Sequence, residues 1–144
     1  MKVLFLCEYN IARSQMAQAF FNRIVKKEKA KSAGTNPEFD GKAINSVNPN
    51  AILSMKEIGY DLSKKKSKVL TGKLVDWADK VVVFNCKGDF PSYLLKSGKI
   101  DFHCVTDPAN KDLEVYRMTR EEIQRIVEDF VEIHRVELKK GKQI

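Results

Sequence analysis

Residues 2–17 read KVLFLCEYNIARSQMA, and this stretch decides the fold. The apolar run Lys2–Leu6 is short and continuous, which is typical of a strand buried on both faces of a sheet. From Ser14 to Ile24 apolar residues recur at intervals of four, which predicts a helix with one apolar face. The stretch therefore predicts a strand, a loop at Cys7–Ser14 and a helix.

The rest of the chain continues the alternation of strands and helices. Further strands are predicted at Lys31–Gly34, Val81–Phe84 and Ile100–Cys104. Further helices are predicted at Asn48–Ile58, Thr71–Trp77 and Leu113–Leu138. This alternation predicts one α/β domain over residues 1–144, with a parallel sheet and right-handed crossovers.

The composition is that of a globular protein with a basic surface. The formal net charge is +7, but the lysine-rich segments lie far apart and no aromatic residues interleave with them. Such dispersed charge favours a solvated surface over a nucleic-acid partner. No apolar run is long enough for a bilayer, and the N-terminus lacks the cleavage site of a signal peptide. We therefore expect a cytoplasmic protein with no membrane partner.

Reactive residue types follow several of the predicted strands. Cys7, Cys86 and the segment Cys104–Asp107 each lie just past a strand, and the carboxyl ends of parallel strands meet where ligands bind. An odd number of cysteines argues against a structural disulfide framework and for reduced, reactive thiols. Their spacing matches no zinc pattern, so no metal is expected.

The loop Cys7–Ser14 has the composition of an oxyanion cradle. Successive backbone N–H groups in such a loop can surround a tetrahedral anion at the positive end of the following helix. The groups expected to bind belong to Glu8, Tyr9, Asn10, Ile11, Ala12, Arg13 and Ser14. The Arg13 guanidinium can close the ring with two parallel hydrogen bonds. The same positive field favours a thiolate at Cys7, to which Ser14 can donate.

Each of these residues also has an ordinary structural explanation. Cys7 could be a small buried apolar residue, and Arg13 a surface cation. Ser14 could cap the helix, and Asn10 could simply favour the turn. The order Cys-x5-Arg-Ser at a strand-to-helix junction favours the catalytic interpretation.

The motif CxxNxxRSQMA at residues 7–17 resembles the signature of the low-molecular-weight protein tyrosine phosphatase superfamily, and its last three residues resemble the arsenate reductase branch. Stretches that agree with this resemblance are Ser32–Thr35, Val47–Ile52, Met55–Gly59, Asp61–Ser63, Ala78–Val82 and Asp107–Ala109. The resemblance covers nearly the whole chain. It implies three layers with flavodoxin-like topology, in which helices flank a four-stranded parallel sheet.

The resemblance also implies roles for two residues outside the loop. Asp107 corresponds to the general acid that protonates a leaving alkoxide or phenolate, although Asp-Pro is also a common helix or turn opening. Cys86 corresponds to the resolving cysteine of the arsenate reductases. It would attack the Cys7 sulfur after that sulfur has bonded arsenic, and a Cys7–Cys86 disulfide would remain. The alternative for Cys86 is an inert cysteine at a strand end.

Several features depart from the family pattern. Thioredoxin-coupled reductases keep a third cysteine a few residues after the resolving one, but Lys87–Lys96 contains none. Cys104 could finish the relay, although its apolar neighbours favour a plain strand residue. Glu8 stands where the family usually has a less acidic residue, and we expect it to point outward. Ala12 and Ala109-Asn110 replace a cysteine and tyrosines found in the phosphatases.

The sequence thus favours a thiol-dependent arsenate reductase without a resident cofactor, monomeric, and supplied with electrons by thioredoxin or a small thiol. The alternative is a low-molecular-weight protein tyrosine phosphatase that hydrolyses phosphotyrosine or small phosphoesters through a phosphocysteine. A non-catalytic anion-binding module is a third class. Arsenate and phosphate are both tetrahedral, so the step after attack distinguishes them. Reduction needs a second thiol near Cys7, whereas hydrolysis needs Asp107 and a water molecule.

Overall fold

The chain alternates strands and helices from its first residues to its last long helix. The computed structural model describes residues 1–26 and 30–142. The strands are β1 Val3–Cys7, β2 Lys31–Gly34, β3 Lys80–Val83 and β4 Ile100–Phe102. The helices are α1 Arg13–Ile24, α2 Ile44–Val47, α3 Pro49–Lys56, α4 Gly72–Trp77, α5 Ser92–Leu95, α6 Leu113–Ile133 and α7 Arg135–Lys142.

The four strands form one parallel sheet in the order β2-β1-β3-β4. Every residue of β1 is buried, as expected of a strand with neighbours on both edges and helices on both faces. The register pairs Cys7 with Gly34, Leu6 with Val83, and Val83 with Phe102. The carboxyl ends of all four strands therefore meet along one edge, which confirms the predicted parallel α/β fold.

Two apolar cores cover the two faces of the sheet, because side chains alternate along each strand. Phe5 lies in the larger core, where its ring contacts Phe21 of α1 and stacks on Phe84. The same core contains buried residues of α3 and α6. Leu4 and Leu6 point the other way, into a smaller core with residues of α4 and α5. The molecule therefore has three layers, with helices on both sides of the sheet.

Strand boundaries differ slightly from the predicted ones. β2 ends at Gly34 as predicted, whereas β3 spans Lys80–Val83 instead of Val81–Phe84 and β4 ends at Phe102 instead of Cys104. Beyond β4 the chain still follows its neighbour, because His103 N donates to Val83 O at 2.9 Å. The shorter β4 leaves the residues after Phe102 outside the regular ladder, at the edge of the sheet.

The last predicted helix is two helices. α6 ends at Ile133, and α7 begins at Arg135 after a turn at His134, whose ring stacks on Phe130. The turn brings Leu138 into the larger core, where it is 3% exposed. Burial of this side chain explains why the chain changes direction there. In the described part of the chain, no helix is both long enough and apolar enough to traverse a lipid bilayer.

Candidate active site

The loop between β1 and α1 places the Cys7 thiol next to the Ser14 hydroxyl. Cys7 is 2% exposed, and its Sγ lies 3.0 Å from Ser14 Oγ. Asn10 Nδ2 donates to Ser14 Oγ at 2.7 Å, which leaves the hydroxyl hydrogen of Ser14 for the sulfur. The Ser14 hydroxyl is thus placed to donate a hydrogen bond to the Cys7 sulfur.

Asn10 fixes the shape of the loop from inside. It is fully buried and has a φ of 58°, in the left-handed region that asparagine tolerates better than most residues. Its Nδ2 also donates to Ser32 Oγ at 3.0 Å. Its Oδ1 accepts from Lys68 N at 2.9 Å and from Gln15 Nε2 at 3.0 Å. Both polar atoms of the Asn10 amide therefore have hydrogen-bond partners, and these bonds connect the loop to three other segments.

Gly34 allows the loop to lie directly on β2. A Cβ at this position would come within 2.8 Å of Glu8 O and of the Tyr9 carbonyl carbon, both of which are backbone atoms. Thr35 N donates to Cys7 O at 3.0 Å, and Asn36 N donates to Glu8 O at 2.8 Å. The chain after β2 therefore supports the start of the loop through the main chain.

The other side of the loop rests on α3 and α6. Asn48, next to the start of α3, donates from Nδ2 to Ile11 O at 3.1 Å. The hydroxyl of Tyr116 in α6 donates to Asn48 Oδ1 at 2.6 Å. Tyr116 is 2% exposed, and desolvation by burial raises the pKa of its hydroxyl, which stays a donor at neutral pH. Ala12 is 3% exposed and directly precedes α1.

Arg13 and Asp107 lie together at the edge of the cup formed by the loop. Arg13 is 4% exposed, and its Nη1 donates to Val105 O at 2.8 Å and to Phe84 O at 3.4 Å. Its Nη2 lies 3.5 Å from Asp107 Oδ2. The other oxygen of Asp107 accepts from Ala109 N at 3.0 Å, so this carboxylate also forms the turn that its Asp-Pro sequence predicts.

The cup above Cys7 is narrow and mostly apolar apart from Arg13 and Asp107. Its lining consists of Cys7, Tyr9, Ile11, Ala12, Arg13 and Asp107. Together with the backbone N–H groups at the start of α1, the guanidinium gives this cup a positive potential. The arrangement suits a small tetrahedral anion whose central atom lies over the sulfur.

A second cavity, of about 270 Å³, adjoins the cup. Its lining consists of Glu8, Arg13, Asn85, Cys86, Lys87, Thr106 and Asp107. Arg13 and Asp107 line both spaces, so Cys86 and Cys7 face contiguous cavities. Glu8 was expected to point outward, but it lines this cavity.

Tyr9 is half-buried and lines the cup. Its ring packs against Phe39 in an edge arrangement, with centroids 5.4 Å apart. Burial, followed by the negative charges of Glu8 and Glu38, raises the pKa of the Tyr9 hydroxyl. The phenol is therefore neutral at physiological pH and interacts with the Glu8 side chain as a hydrogen-bond partner.

Cys86 and Cys104 form a disulfide at the same edge of the sheet. Their Cα atoms are 4.5 Å apart, and both residues are exposed. Cys7 remains a free, buried cysteine. The interpretation of Cys104 as a plain strand residue is wrong, because β4 ends two residues before it. The prediction that the thiols are reduced holds for Cys7 but not for the other two. The pairing follows from topology, since β3 and β4 are neighbours and end in register.

Some supporting residues were missed by the sequence analysis. These are Gly34, Ser32, Ser67, Asn48 and Tyr116, which hold the loop through the contacts above and through the bond from Ser67 Oγ to Tyr9 O. They are distant in sequence, and only the fold brings them to the loop. Among the described residues no cluster of histidine, cysteine and acidic side chains could hold a metal ion.

Comparison with known proteins relates nearly the whole chain to one family. Residues 2–143 match the family model described as low molecular weight phosphotyrosine protein phosphatase. Arsenate reductase 1 of Staphylococcus epidermidis is 33% identical over 136 residues, which cover 93% of this chain and 96% of the relative. The arsenate reductase of Brevibacillus brevis is 30% identical over 132 residues, covering 90% and 93% of the two chains.

The similar solved structures include an arsenate reductase and phosphatases. An arsenate reductase in its phosphate-binding state superimposes with a TM-score of 0.76 at 29% identity, over 90% of this chain and 95% of that one. A low molecular weight protein tyrosine phosphatase from T. tengcongensis gives the same TM-score and identity, over 92% and 98% of the two chains. The fold therefore does not separate the two activities.

Proposed function

The chain belongs to the low molecular weight phosphotyrosine protein phosphatase family, and from this premise we propose that it is a thiol-dependent arsenate reductase. It is accordingly a cysteine enzyme that binds an oxyanion in the loop between β1 and α1. The proposed nucleophile is Cys7, and Arg13 with the backbone from Glu8 to Ser14 is proposed to bind the anion. Cys86 is proposed as the resolving cysteine.

The state of the three cysteines carries this proposal. Cys7 is free in the cup, whereas Cys86 and Cys104 are joined beside it. This is the state that one turnover of a three-thiol relay would leave. A phosphatase needs only Cys7 as its nucleophile, whereas the relay needs all three thiols.

The relay proceeds in three balanced steps. The Cys7 thiolate attacks arsenic, an As–S bond forms, and one arsenate oxygen leaves as water after protonation. The Cys86 thiolate then attacks Cys7 Sγ, and the electron pair of the S–As bond passes to arsenic, which leaves as arsenite. Finally the Cys104 thiolate attacks Cys86 Sγ and releases Cys7 as a thiolate. Two thiols have lost two electrons, and arsenic(V) has become arsenic(III).

Cys104 thus takes the role of the third cysteine that Lys87–Lys96 lacks. Its exposure supports this role, because an outer reductant must reach the final disulfide. We propose a protein dithiol of the thioredoxin type as that reductant, with a small thiol such as glutathione as the alternative. Neither donor requires a resident cofactor on this chain.

Phosphoester hydrolysis is the second candidate function, and Asp107 supports it. The carboxyl group of Asp107 lies at the rim of the cup beside Arg13, where its protonated form can give a proton to a leaving oxygen. In this alternative Cys7 forms a phosphocysteine, which a water molecule then hydrolyses.

Cysteine variants distinguish the two functions. Cys7→Ser should abolish both arsenate reduction and hydrolysis of an aryl phosphate. Cys86→Ser should stop arsenate turnover with thioredoxin or glutathione, measured as arsenite release, and should keep the hydrolysis rate of the reduced wild type. Cys104→Ser should accumulate a Cys7–Cys86 disulfide. Normal arsenate turnover by Cys86→Ser would refute the relay.

The variant Asp107→Asn tests whether Asp107 is the general acid of ester hydrolysis. Hydrolysis of an aryl phosphate should fall by roughly 10²–10⁴-fold, the usual contribution of a positioned acid. Arsenate reduction should fall less, because the thiol exchange steps need no acid on the leaving group of an ester. Steady-state rates with both substrates make the comparison, and an equal loss in both would contradict the assignment.

A further inference from the structure

The Cys86–Cys104 disulfide joins two segments that hold Arg13. Cys86 lies two residues after Phe84, and Cys104 directly precedes Val105. Arg13 Nη1 donates to the carbonyl oxygens of both Phe84 and Val105. The disulfide therefore adds a covalent link between the two segments whose carbonyls orient the guanidinium, which are also joined by the hydrogen bond from Val105 N to Phe84 O at 3.0 Å.

The same disulfide lies at the start of the segment that carries Asp107. Asp107 follows Cys104 by three residues and lies 3.5 Å from the Arg13 guanidinium. β4 is an edge strand of the sheet, and residues 103–111 after it contain neither helix nor strand. His103 N and Val105 N, on either side of Cys104, donate to Val83 O and Phe84 O, and the covalent link at Cys104 adds to these hydrogen bonds in limiting how far Asp107 can move.

Cys7 remains available as the nucleophile when this disulfide is present, because it is a free cysteine. Its Sγ is hydrogen-bonded to Ser14 Oγ. Ester hydrolysis uses these groups alone. The Cys7 sulfur bonds phosphorus as the ester P–O bond breaks, and the Asp107 proton goes to the leaving oxygen. Water then attacks phosphorus and returns a proton to Asp107, and phosphate and the Cys7 thiolate are released. No electrons are gained or lost, so the disulfide does not prevent this reaction.

We propose that the Cys86–Cys104 disulfide makes the oxidised protein the more active phosphate monoester hydrolase, because it holds Asp107 over the cup. Reduction of the disulfide frees Cys86 for the relay and loosens the segment that carries the acid. The redox state of Cys86 and Cys104 thus determines whether the site favours ester hydrolysis or arsenate reduction. This inference rests on Cys7 as nucleophile and Asp107 as acid, and it does not require arsenate to be the substrate.

The expected effect is a change in kcat. A small displacement of a catalytic group costs up to about 100-fold in rate, and a partly ordered segment costs less, so we expect a fall of roughly three- to tenfold on reduction. KM should rise less than kcat falls, because Asn10 and Gly34 hold the backbone of the anion loop and only the Arg13 guanidinium depends on the linked segments.

The direct test compares p-nitrophenyl phosphate hydrolysis by wild-type protein with the disulfide intact and after reduction by a water-soluble phosphine. Thiol titration before each assay should find one free cysteine in the oxidised protein and three in the reduced protein. Higher kcat in the oxidised sample supports the proposal. Equal rates, or faster hydrolysis by the reduced protein, would overturn it.

Two variants show whether the effect acts through the acid. Cys86→Ser cannot form the disulfide and lacks the thiol that would attack Cys7, so it should hydrolyse the ester at the reduced wild-type rate with or without the phosphine. Asp107→Asn keeps the disulfide but lacks the acid, so reduction should no longer change its kcat. If reduction slows Asp107→Asn as much as it slows the wild type, Asp107 is not the group that the disulfide positions.

A change of leaving group gives an independent readout. Phenyl phosphate needs an acid more than 2,4-dinitrophenyl phosphate does, because phenolate is the poorer leaving group. The ratio of oxidised to reduced kcat should therefore be larger for phenyl phosphate, and an equal ratio would contradict the proposal. Failure of the proposed arsenate chemistry would instead appear as absence of arsenite release, with these hydrolysis ratios unchanged.

Discussion

Gly34 allows the anion loop to pack closely against β2, because it has no side chain. The Cβ of any other residue would meet backbone atoms of Glu8 and Tyr9 at 2.8 Å, and backbone cannot move aside as a flexible side chain can. Asn10 acts in the opposite way, since its buried amide makes the contacts that define the loop. At the scale of single residues, the site depends on the absence of a side chain at Gly34 and on the hydrogen bonds of the Asn10 amide.

Replacing Gly34 by alanine should therefore displace the loop. We expect kcat with arsenate or an aryl phosphate to fall by roughly 10- to 100-fold, since misplacement of about 1 Å costs that much. Overpacking should also lower the free energy of unfolding by about 1–3 kcal/mol. Gly72→Ala is the matched control, because a Cβ there meets nothing within 4 Å. Wild-type kinetics in Gly34→Ala would show that the close approach does not matter.

Helices α3 and α6 act as a support for the loop. Tyr116 reaches the loop through Asn48, and the two helices are joined at their surface by Arg117 and Arg120, both of which contact Glu57. Hydrogen bonds from Arg117 and then Arg120 lower the pKa of Glu57 to about 2. The ionised carboxylate is thus part of the contact between α3 and α6 throughout the physiological pH range.

The direction of the pKa shift of Glu57 predicts how the stability of the protein depends on pH. The pKa of Glu57 is lower in the folded state than its ordinary value of 4.5, so its contribution to stability is present above about pH 4.5 and is lost as the pH falls towards 2. Glu57→Gln should lower Tm at pH 7, and the difference from wild type should shrink as the pH approaches 2. Thermal unfolding followed by circular dichroism measures both proteins.

A more exposed carboxylate supplies the control for this comparison. Glu132 lies 3.8 Å from Arg135 and is 71% exposed at its side chain, so Glu132→Gln should change Tm little at any pH. A Tm difference between Glu57→Gln and wild type that is the same at pH 2.5 as at pH 7 would contradict the role of the ionised carboxylate.

The whole molecule brings together groups that are far apart in the chain. Cys7 is the last residue of β1, Cys86 follows β3 and Cys104 follows β4, and these strands are consecutive in the sheet. The relay needs this order, because each thiol must reach only its neighbour. Strand order thus determines which cysteine resolves which.

How much the sequence predicts depends on whether a feature is local. The loop at Cys7–Ser14 is local, and its strand, motif and helix all lie in one short stretch, so its position was predicted correctly. The disulfide depends on strand order and on where β4 ends. The apolar neighbours of Cys104 favour a plain strand residue at this position, but β4 is at the edge of the sheet and ends at Phe102. The helix break at His134 was missed for a similar reason, since it reflects the burial of Leu138.

A single turnover without any reductant tests the central claim most directly. Fully reduced protein is mixed with excess arsenate, arsenite is counted, and the free cysteines are alkylated before peptide mapping. We expect one arsenite per chain, a linked peptide pair containing Cys86 and Cys104, and an alkylated Cys7. Absence of arsenite, or arsenite release that leaves Cys86 as a free thiol, would contradict the relay.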